Sequence, residues 1–472
     1  MSTVTSKLSP SPSLSRGAIV VGSGLAGLSA ASQLITHKVP VHLLERAPKP
    51  GGNSIKASSG INGAPTRFQP VADNAFYDDT VKSAGSALAS LREQRESLIS
   101  TLTKSSAAAV NWLVDDKGID LSRVAQLGGH SLPRTHRGSG QTPPGAAIVT
   151  TLLKSLKDNE LFHLDTGCQV TKVLHSGSEV QGVEYTCEGG ETKVLHGPVV
   201  FASGGFAGDA EGLLAKYRPD LAGFPSTNDP REGSQKLLTE VGAQLLDMDL
   251  VQVHPTGFVD PKTPNAPLKW LAAELLRGEG GLLLMNGKRF VNEMETRQHI
   301  TDAILRTPAV DESPHQWDVQ VVLDEGSYSA APSNIDFYIF KGLMRKTTVA
   351  ELADSALAAI QDYADAAAGK KADTFGRKTF GEWSTKKITP ETVVYIARVT
   401  PVVHFTMGGV IISENSEVLN AEGKPIKGLW AAGEVTGGIH GANRLGGSSL
   451  LECVVFGRIA GDQAAAFVNA KK

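Results

Sequence analysis

The chain has 472 residues, of which 41% are hydrophobic and 20% charged, and its formal net charge is −3. This length predicts about two to three domains of a globular protein. The nearly balanced charge excludes the basic footprint of a nucleic-acid or anionic-membrane binder, and no apolar run is long enough to cross a membrane.

Residues 1–16 are rich in Ser, Thr and Pro, which predicts a disordered tail. The tail carries Lys7 and Arg16 and no acid, as a mitochondrial presequence does, but it lacks an amphipathic pattern. Three scattered cysteines, Cys168, Cys187 and Cys453, are too few for a disulfide framework and favour a reducing compartment. We therefore predict a cytoplasmic protein, with the mitochondrion as the alternative.

A strand–turn–helix pattern follows the tail. The apolar run 18–21 leads into Gly22, Gly24 and Gly27, spaced as G-x-G-x-x-G, and then into helical spacing through residue 34. A second strand over 41–44 ends at Glu45, where a ribose hydroxyl needs an acceptor. This context predicts a dinucleotide site. Its place near the N-terminus favours FAD, and a separate NAD domain is the alternative.

Small residues also dominate the segment 51–63, so its backbone can lie flat against a ring system, which favours a flavin; a loop that needs glycine only for turns is the alternative. Alternating residues over 168–200 predict an antiparallel meander. The buried strand 199–202 then runs into Ser203 and Gly204. Together these patterns predict an α/β fold, a Rossmann-like domain with inserted antiparallel strands.

Candidate polar residues become frequent after about residue 250. His254 lies at a predicted strand end before a proline turn, and His404 precedes a glycine turn. Glu274 and Arg277 are three residues apart, which makes them neighbours on a helical turn. Arg297 ends a further charged segment. An ordinary surface ion pair is the alternative for Glu274 and Arg277.

The segment 429–450 joins a buried strand, a Gly-rich loop that contains Arg444, and a helix that starts at Ser448. Free backbone N–H groups and the helix dipole at such a start favour an anion, either a phosphate or the electron-rich edge of a cofactor. This segment therefore predicts the second wall of the cofactor site. A Gly-rich surface loop is the alternative.

A resemblance rests on the motifs GGNSIKASSGING (51–63), QVHPTGF (252–258), AELLRG (273–278), NEMETR (292–297), HFTMGG (404–409) and GANRLGGSSLLECVVFGR (441–458). They resemble the flavoprotein subunits of the fumarate reductase/succinate dehydrogenase superfamily, and most of all the soluble, single-chain fumarate reductases of fungi. The likeness covers nearly the whole chain from residue 17. It implies an FAD-dependent oxidoreductase that reduces fumarate to succinate.

The resemblance also implies an α+β capping domain over residues 250–404, inserted between two parts of the FAD-binding domain, 17–249 and 405–472. FAD would be held between the two ends of the chain. The implied cofactor-binding residues are Gly22, Ser23, Gly24, Ala26, Gly27, Glu45, Arg46, Gly52, Asn53, Ser54, Ala57, Ser58, Ser59, Gly60, Asn62, Val170, Ser203, Gly204, Thr227, Asn228, Asp229, Gly433, Glu434, Arg444, Gly447, Ser448, Ser449 and Leu450.

The same resemblance implies the catalytic residues. Arg444 and His404 would hold one carboxylate of a dicarboxylate, and His254 the other. Flavin N5 would deliver hydride, and Arg297 would protonate the neighbouring carbon. Arginine has a reference pKa above about 12, so this role needs an immediate return of the proton, which Glu274 and Arg277 would supply.

Three departures from the family pattern matter. Asn53 stands where membrane-bound relatives attach FAD through a histidine, so FAD is expected to be non-covalent. Ala273 replaces a hydroxyl that relatives often carry before the relay acid. The segment 227–233 is shorter and altered relative to the family's Gly-Asp-Gly, which affects local flavin contacts.

No haem or iron–sulfur motif is present, so electrons are expected to arrive by diffusion, and the resemblance suggests reduced free flavins. We expect a monomer and no metal. One alternative keeps the fold but changes the substrate to another unsaturated acid, urocanate-like, or to a ketosteroid. Another alternative is a non-catalytic flavin-binding regulator.

Overall fold

The computed structural model describes residues 17–471, so the tail predicted for residues 1–16 lies outside the described residues. Within this range the strands are β1 Ala18–Val21, β2 Val41–Glu45, β3 Ile61–Asn62, β4 Arg123–Ala125, β5 Thr135–Arg137, β6 Phe162–Thr166, β7 Cys168–Ser176, β8 Glu179–Cys187, β9 Thr192–His196, β10 Val199–Phe201, β11 Leu245–Leu246, β12 Val251–Phe258, β13 Leu282–Met285, β14 Lys288–Arg289, β15 Asp311–Glu312, β16 His315–Gln316, β17 Val319–Leu323, β18 Arg345–Thr348, β19 Val393–Thr406, β20 Gly409–Ile411, β21 Glu417–Leu419, β22 Pro425–Ala431 and β23 Thr436–Gly437.

The helices of the same range are α1 Leu25–Thr36, α2 Phe76–Ala84, α3 Arg92–Lys104, α4 Ser106–Asn111, α5 Pro144–Lys157, α6 Leu213–Tyr217, α7 Gln235–Thr239, α8 Leu275–Gly278, α9 Arg297–Leu305, α10 Glu325–Ala330, α11 Pro332–Phe340, α12 Ala356–Ala367 and α13 Ser448–Ala470. None of these described helices combines the length and the apolar character that a membrane crossing requires.

The main sheet has nine strands, in the order β6-β2-β1-β10-β22-β8-β7, with β21 paired to β22 and β9 to β8. The strands β6, β2, β1, β10 and β22 run parallel. β1 is buried along its full length, as an apolar strand covered on both faces must be. This sheet confirms the predicted α/β fold class, and it gathers the loops after β1, β10 and β22 at one edge.

The first and last helices, α1 and α13, pack together behind that edge. A Cβ added to Gly457 of α13 would lie 2.5 Å from the carbonyl oxygen of Ala26 in α1. A Cβ added to Gly27 would lie 1.9 Å from the carbonyl oxygen of Gly22. Only glycine permits approaches this close. The two ends of the chain therefore form one wall of the molecule.

Strands β7, β8 and β9 form the antiparallel meander predicted for residues 168–200. Cys168 and Cys187 are direct cross-strand partners in this meander, and a disulfide joins them. The expectation drawn from three scattered cysteines is therefore wrong for this pair, because strand pairing brings together residues that are distant in the sequence. Cys453 is buried and free. The cysteines no longer support a reducing compartment.

A six-stranded antiparallel sheet contains β12, β19, β17, β13 and β14 in this order, with β18 paired to β19. Its strands lie between Val251 and Thr406, in the part of the chain for which the resemblance implies a cap. The domain boundaries at 250 and 404 stay a prediction. The strand β12 continues through Pro255, where the sequence predicts a turn, and the register shifts between His254 and Gly257 accommodate the proline.

Candidate active site

The loops at the edge of the main sheet surround a cavity of about 1110 Å³. Part of its wall comes from the region of the six-stranded sheet, including the segment 268–271 and helix α11. The volume slightly exceeds the range of roughly 300–1,000 Å³ that small-molecule sites usually occupy. Room therefore exists for a dinucleotide together with a small substrate.

Most residues predicted to hold the cofactor line this cavity, namely Gly22, Ser23, Gly24, Ala26, Glu45, Arg46, Gly52, Asn53, Ser54, Ala57, Ser58, Ser59, Gly60, Val170, Ser203, Gly204, Thr227, Asn228, Asp229, Gly433, Glu434, Arg444, Gly447, Ser449 and Leu450. Gly27, Asn62 and Ser448 are not on the cavity wall. Asn62 donates hydrogen bonds to the Gly446 carbonyl at 2.8 Å and to the Ser448 hydroxyl at 2.9 Å. These residues support the wall from behind.

The turn after β1 forms one end of the cavity. Helix α1 starts there without a side-chain cap of its own, and Leu25 N–H donates to the hydroxyl of Ser54 at 3.1 Å. The remaining N–H groups of this first turn lie beside the cavity wall formed by Gly24 and Ala26. The helix dipole adds positive potential at the same place, so the turn favours a phosphate group.

The Glu45 carboxylate accepts hydrogen bonds from Ser23 N–H at 2.9 Å, from the Ser23 hydroxyl at 2.5 Å and from Ala47 N–H at 2.8 Å. The turn and the end of β2 are therefore tied together by one side chain. A carboxylate has about four lone-pair sites, so Glu45 keeps acceptor capacity toward the cavity that it lines.

Helix α13 starts at the other side of the cavity, also without a side-chain cap. Its N-terminal neighbour Gly447 has a φ of +81°, and a Cβ there would lie 2.3 Å from Oδ1 of Asn62. Glycine is therefore required at this position. Ser449 and Leu450 of the first helical turn line the cavity. The structure thus brings two helix starts, one from each end of the chain, to a single cavity.

Glu434 lies between these parts of the wall. The Glu434 carboxylate accepts two hydrogen bonds from Thr406, one from the backbone N–H at 3.0 Å and one from the side-chain hydroxyl at 3.2 Å. Burial raises the pKa of Glu434 to about 7, although these hydrogen bonds act in the opposite direction.

Arg444 is a buried cation with few partners. Its side chain is 3% exposed, its Nη1 donates to the Leu445 carbonyl at 3.3 Å, and its Nε has no partner among the described residues. The guanidinium carbon lies 4.2 Å from the centre of the Phe405 ring. Burial, followed by the charge of Arg297, lowers the pKa of Arg444 to about 9. The arrangement favours an anion as the missing partner.

Two histidines adjoin this cation. Their ring centres are 5.4 Å apart, and Nδ1 of His404 is 2.9 Å from the Thr227 hydroxyl. Burial and the nearby charge of Arg297 hold the pKa of both His254 and His404 well below the usual value, so both rings are neutral. His404 and Arg297 line the cavity, whereas His254 is fully buried and does not.

The tautomer of His254 follows from its hydrogen bonds. The backbone N–H of Thr256 donates to Nδ1 at 3.2 Å, and a backbone N–H cannot accept in return. The proton of the neutral ring therefore resides on Nε2, which is buried and has no partner among the described residues. An unpaired buried donor of this kind is costly, and a ligand acceptor would satisfy it.

The guanidinium of Arg297 is held from two sides. Its Nε donates to Glu274 Oε2 at 2.7 Å and its Nη2 lies 2.5 Å from the same oxygen, while Nη1 donates to Gln252 Oε1 at 2.8 Å. Glu274 is 1% exposed, so the plain alternative of a surface ion pair is wrong. Burial raises the pKa of Glu274, but the charges of Arg297 and Arg277 outweigh this effect and keep it below the usual value.

Arg277 lies behind Glu274, and neither residue lines the cavity. Nη2 of Arg277 is 3.6 Å from Glu274 Oε1, which is longer than a hydrogen bond, and its Nη1 donates to the Glu293 carbonyl at 2.8 Å. The structure therefore brings Arg297 and Glu274 into direct contact and leaves Arg277 as a close but unbonded neighbour.

Comparisons with known proteins agree with this geometry. Residues 17–450 match the FAD binding domain family. The chain is 42% identical to fumarate reductase 1 of Saccharomyces cerevisiae, over 95% of this chain and 98% of that protein, and 41% identical to a fumarate reductase of Schizosaccharomyces pombe, over 95% and 89%. The chain belongs to the fumarate reductase/succinate dehydrogenase flavoprotein superfamily.

A solved structure of this superfamily, the open conformation of a flavocytochrome c3 fumarate reductase, has a TM-score of 0.73 and 32% identity to the chain. The match covers 97% of this chain and 79% of that one. The resemblance seen in the sequence motifs is thereby confirmed.

The cavity fits the FAD that this superfamily binds. The starts of α1 and α13, which have no side-chain caps of their own, face the cavity and suit the pyrophosphate and the flavin ring. Glu45 supplies an acceptor for a ribose hydroxyl. The glycines along the wall let the backbone approach a ligand closely. These features agree with the residues that the resemblance implies.

Sequence reasoning missed Gln252 as a site residue. Its amide oxygen accepts from Arg297, and its amide nitrogen donates to the Arg444 carbonyl at 2.8 Å and to Asn443 Oδ1 at 3.2 Å. Gln252 thus fixes the two arginines of this flavoprotein relative to each other. A signal was present, because Gln252 lies two residues before His254 on a predicted strand, and alternate residues share a strand face.

Proposed function

We propose that the protein is a fumarate reductase, which adds hydride and a proton to fumarate and yields succinate. Two yeast relatives that match nearly the whole chain are named fumarate reductases, and this supports the proposal. The observation that carries it is Arg444, a buried arginine that has no carboxylate partner within residues 17–471 and lies beside His404 and Arg297. A dianionic substrate supplies the charge that this cluster lacks.

Each residue of the cluster has a proposed role. Arg444 and His404 bind one carboxylate, and His254 donates its Nε2–H toward the other. Binding a carboxylate in this way also draws off the negative charge that develops as hydride adds, which lowers the barrier. The neutral state of both histidines supports this role, because a neutral imidazole with one N–H is a fixed hydrogen-bond donor.

Arg297 is proposed to protonate the carbon next to the one that receives hydride. FAD bound in the cleft supplies the hydride. Glu274 returns a proton to Arg297 across their direct contact. Arg277, on the interior side of Glu274, supplies Glu274 with that proton. The double contact of Glu274 with Arg297 supports this order, since a proton donor with so high a pKa must be recharged by an adjacent group.

We further propose that FAD is bound without a covalent bond. Asn53, which lines the cavity, has no nucleophilic nitrogen of the kind that a histidine offers. Acid precipitation of the purified yellow protein is expected to release all of the flavin into the supernatant. Yellow colour that stays with the washed pellet contradicts this part of the proposal.

The proposed electron donor is a reduced free flavin that reaches the protein by diffusion. The monomeric state stays a prediction. So does the cytoplasmic location, with the mitochondrion as the alternative.

An anaerobic assay tests the main proposal. The purified holoenzyme is mixed with reduced flavin mononucleotide and fumarate, and flavin reoxidation is followed together with succinate formation. We expect one succinate for each reduced flavin consumed. Urocanate, a ketosteroid and buffer alone serve as parallel acceptors. Turnover with urocanate or the steroid but not with fumarate shows that the protein is a reductase of that other substrate. Absence of turnover with every acceptor favours the non-catalytic alternative.

The buried cationic cluster favours fumarate over the steroid in this comparison. A ketosteroid is almost wholly apolar, and binding it would leave Arg444 without an anionic partner and Nε2–H of His254 without an acceptor.

A further inference from the structure

Two large side chains are exposed where the cavity opens to solvent. Trp270 is 51% exposed and Phe337 of helix α11 is 37% exposed, and both line the cavity. Their ring centres are 5.9 Å apart in an edge-to-face arrangement. Exposed aromatic residues at the rim of a cavity mark a binding surface more often than isolated surface residues do.

A cation lies beside these rings. The ammonium group of Lys341 is 5.5 Å from the centre of the Trp270 ring and 5.6 Å from that of Phe337. We call Trp270, Phe337 and Lys341 the aromatic platform. Flat rings with an adjacent positive charge favour a planar aromatic ligand that carries an anionic group.

The backbone fixes the platform at one end of the cofactor cleft. The Trp270 carbonyl accepts a hydrogen bond from Phe258 N–H at 2.7 Å, and Lys269 N–H donates to the Ser226 carbonyl at 2.8 Å. Asn228, two residues after Ser226, accepts a hydrogen bond from the amide of Asn53. The platform therefore adjoins the part of the cleft that contains Asn53, which lines the same cavity.

We infer that the aromatic platform is the docking site of the electron donor, and that the donor is a reduced isoalloxazine ring with a phosphate group, such as reduced flavin mononucleotide. This inference rests on the proposed function. The ring stacks on Trp270, Phe337 supports the Trp270 ring edge-to-face, and Lys341 attracts the phosphate. The donor thus binds at the mouth of the cavity and leaves the buried cluster around Arg444 free for fumarate.

The overall exchange balances. Reduced flavin mononucleotide loses two electrons and two protons and becomes oxidised, and fumarate gains two electrons and two protons and becomes succinate.

The test compares Trp270→Ala with the wild-type holoenzyme under anaerobic conditions. With saturating fumarate, the KM for reduced flavin mononucleotide is expected to rise about tenfold, because a stacking partner is lost. The KM for fumarate is expected to stay constant. Dithionite, a donor without a ring, provides the reference, and the ratio of flavin-driven to dithionite-driven turnover is expected to fall. Equilibrium dialysis of oxidised flavin mononucleotide against the FAD-loaded protein is expected to show the same weakening without turnover.

Phe340→Ala is the matched control. Phe340 is on the same helix as Phe337, is 83% exposed and has its ring centre 5.9 Å from the Lys341 ammonium group, so it shares the cation with the platform, but it does not line the cavity. Its removal is expected to leave the KM for the donor unchanged. Lys341→Ala is expected to weaken the binding of reduced flavin mononucleotide. The binding of reduced riboflavin, which has no phosphate, is expected to stay unchanged.

Unchanged donor KM and unchanged dialysis in Trp270→Ala overturn the inference. A rise in the KM for fumarate alone also overturns it, because the platform would then serve closure over the substrate. If Trp270→Ala lowers turnover with NADH but not with reduced flavin, the donor that binds the platform is a nicotinamide, and the inference is overturned. Absence of fumarate reduction with dithionite contradicts the proposed function instead, and the dialysis still reports on the platform.

Discussion

At the scale of single residues, Arg297 combines a fixed geometry with a chemically demanding role. Its three nitrogens are all engaged, two with Glu274 and one with Gln252, so its position does not depend on a ligand. Such preorganisation lowers the cost of aligning a proton donor. Substitutions of Arg297 remove the donor and also the hydrogen bond to the amide oxygen of Gln252, whose amide nitrogen still has the Arg444 carbonyl as its partner.

Arg297→Gln is expected to lower fumarate turnover by about 10²–10⁴-fold, because glutamine cannot protonate carbon. Steady-state rates with reduced flavin measure this loss, and the flavin absorbance of the purified variant is expected to equal that of the wild type. Arg306→Gln, the same change at the exposed C-terminal end of the same helix, is the control and is expected to retain full activity. Substantial turnover by Arg297→Gln removes Arg297 from the role of proton donor.

The sequence motifs single out most of the residues that gather around the cavity, but they do not predict the contacts between these residues. Glu274 and Arg277 have the spacing of a helical ion pair, yet Glu274 bonds instead to Arg297, which is 23 residues away. The partner of a charged residue depends on which elements pack together, and spacing along one helix cannot reveal it. The role of Gln252 was hidden for the same reason.

At the scale of elements, apolar runs in the sequence predicted β1, β2 and β10 because parallel strands buried on both faces need continuous apolar residues. A different expectation, that a proline ends a strand, fails at the antiparallel strand β12, where Pro255 is tolerated by a local shift of register. The number of cysteines does not predict the disulfide, although Cys168 and Cys187 are equally distant along the chain from the tight turn at residues 177 and 178. A hairpin pairing of β7 with β8 places them opposite each other.

At the scale of the whole molecule, two further buried histidines, His130 and His136, link stability to pH. His130 donates from Nε2 to the Gly446 carbonyl at 3.0 Å and accepts at Nδ1 from Arg134, and His136 donates from Nδ1 to the Arg134 carbonyl at 2.8 Å. These bonds suit neutral rings. Burial lowers the pKa of each to about 4.

The sign of the pH effect follows from these values. The unfolded chain protonates its histidines below about pH 6.5, whereas the folded protein does so only near pH 4, so stability is lost as the pH falls through this window. For His136 alone the loss is at most about 3 kcal/mol. We expect His136→Gln to reduce the slope of unfolding free energy against pH, measured by denaturant titration of the holoenzyme.

His196→Gln serves as the control, because His196 is exposed and its substitution is expected to leave the slope unchanged. Equal slopes for wild type and His136→Gln contradict the assignment of this acid sensitivity to His136.

The pairing of α1 with α13 has a consequence for the order of events in the cell. The cavity wall needs residues 22–60 from the start of the chain and residues 432–450 from its end. During synthesis the first strands of the six-stranded sheet leave the ribosome while the part of this wall that residues 432–450 form does not yet exist. We therefore expect FAD to bind stably only after residues 432–450 have been synthesised and have packed against the N-terminal part of the wall. Loss of the last helix is expected to yield a colourless protein even when every residue of the first βα unit is intact.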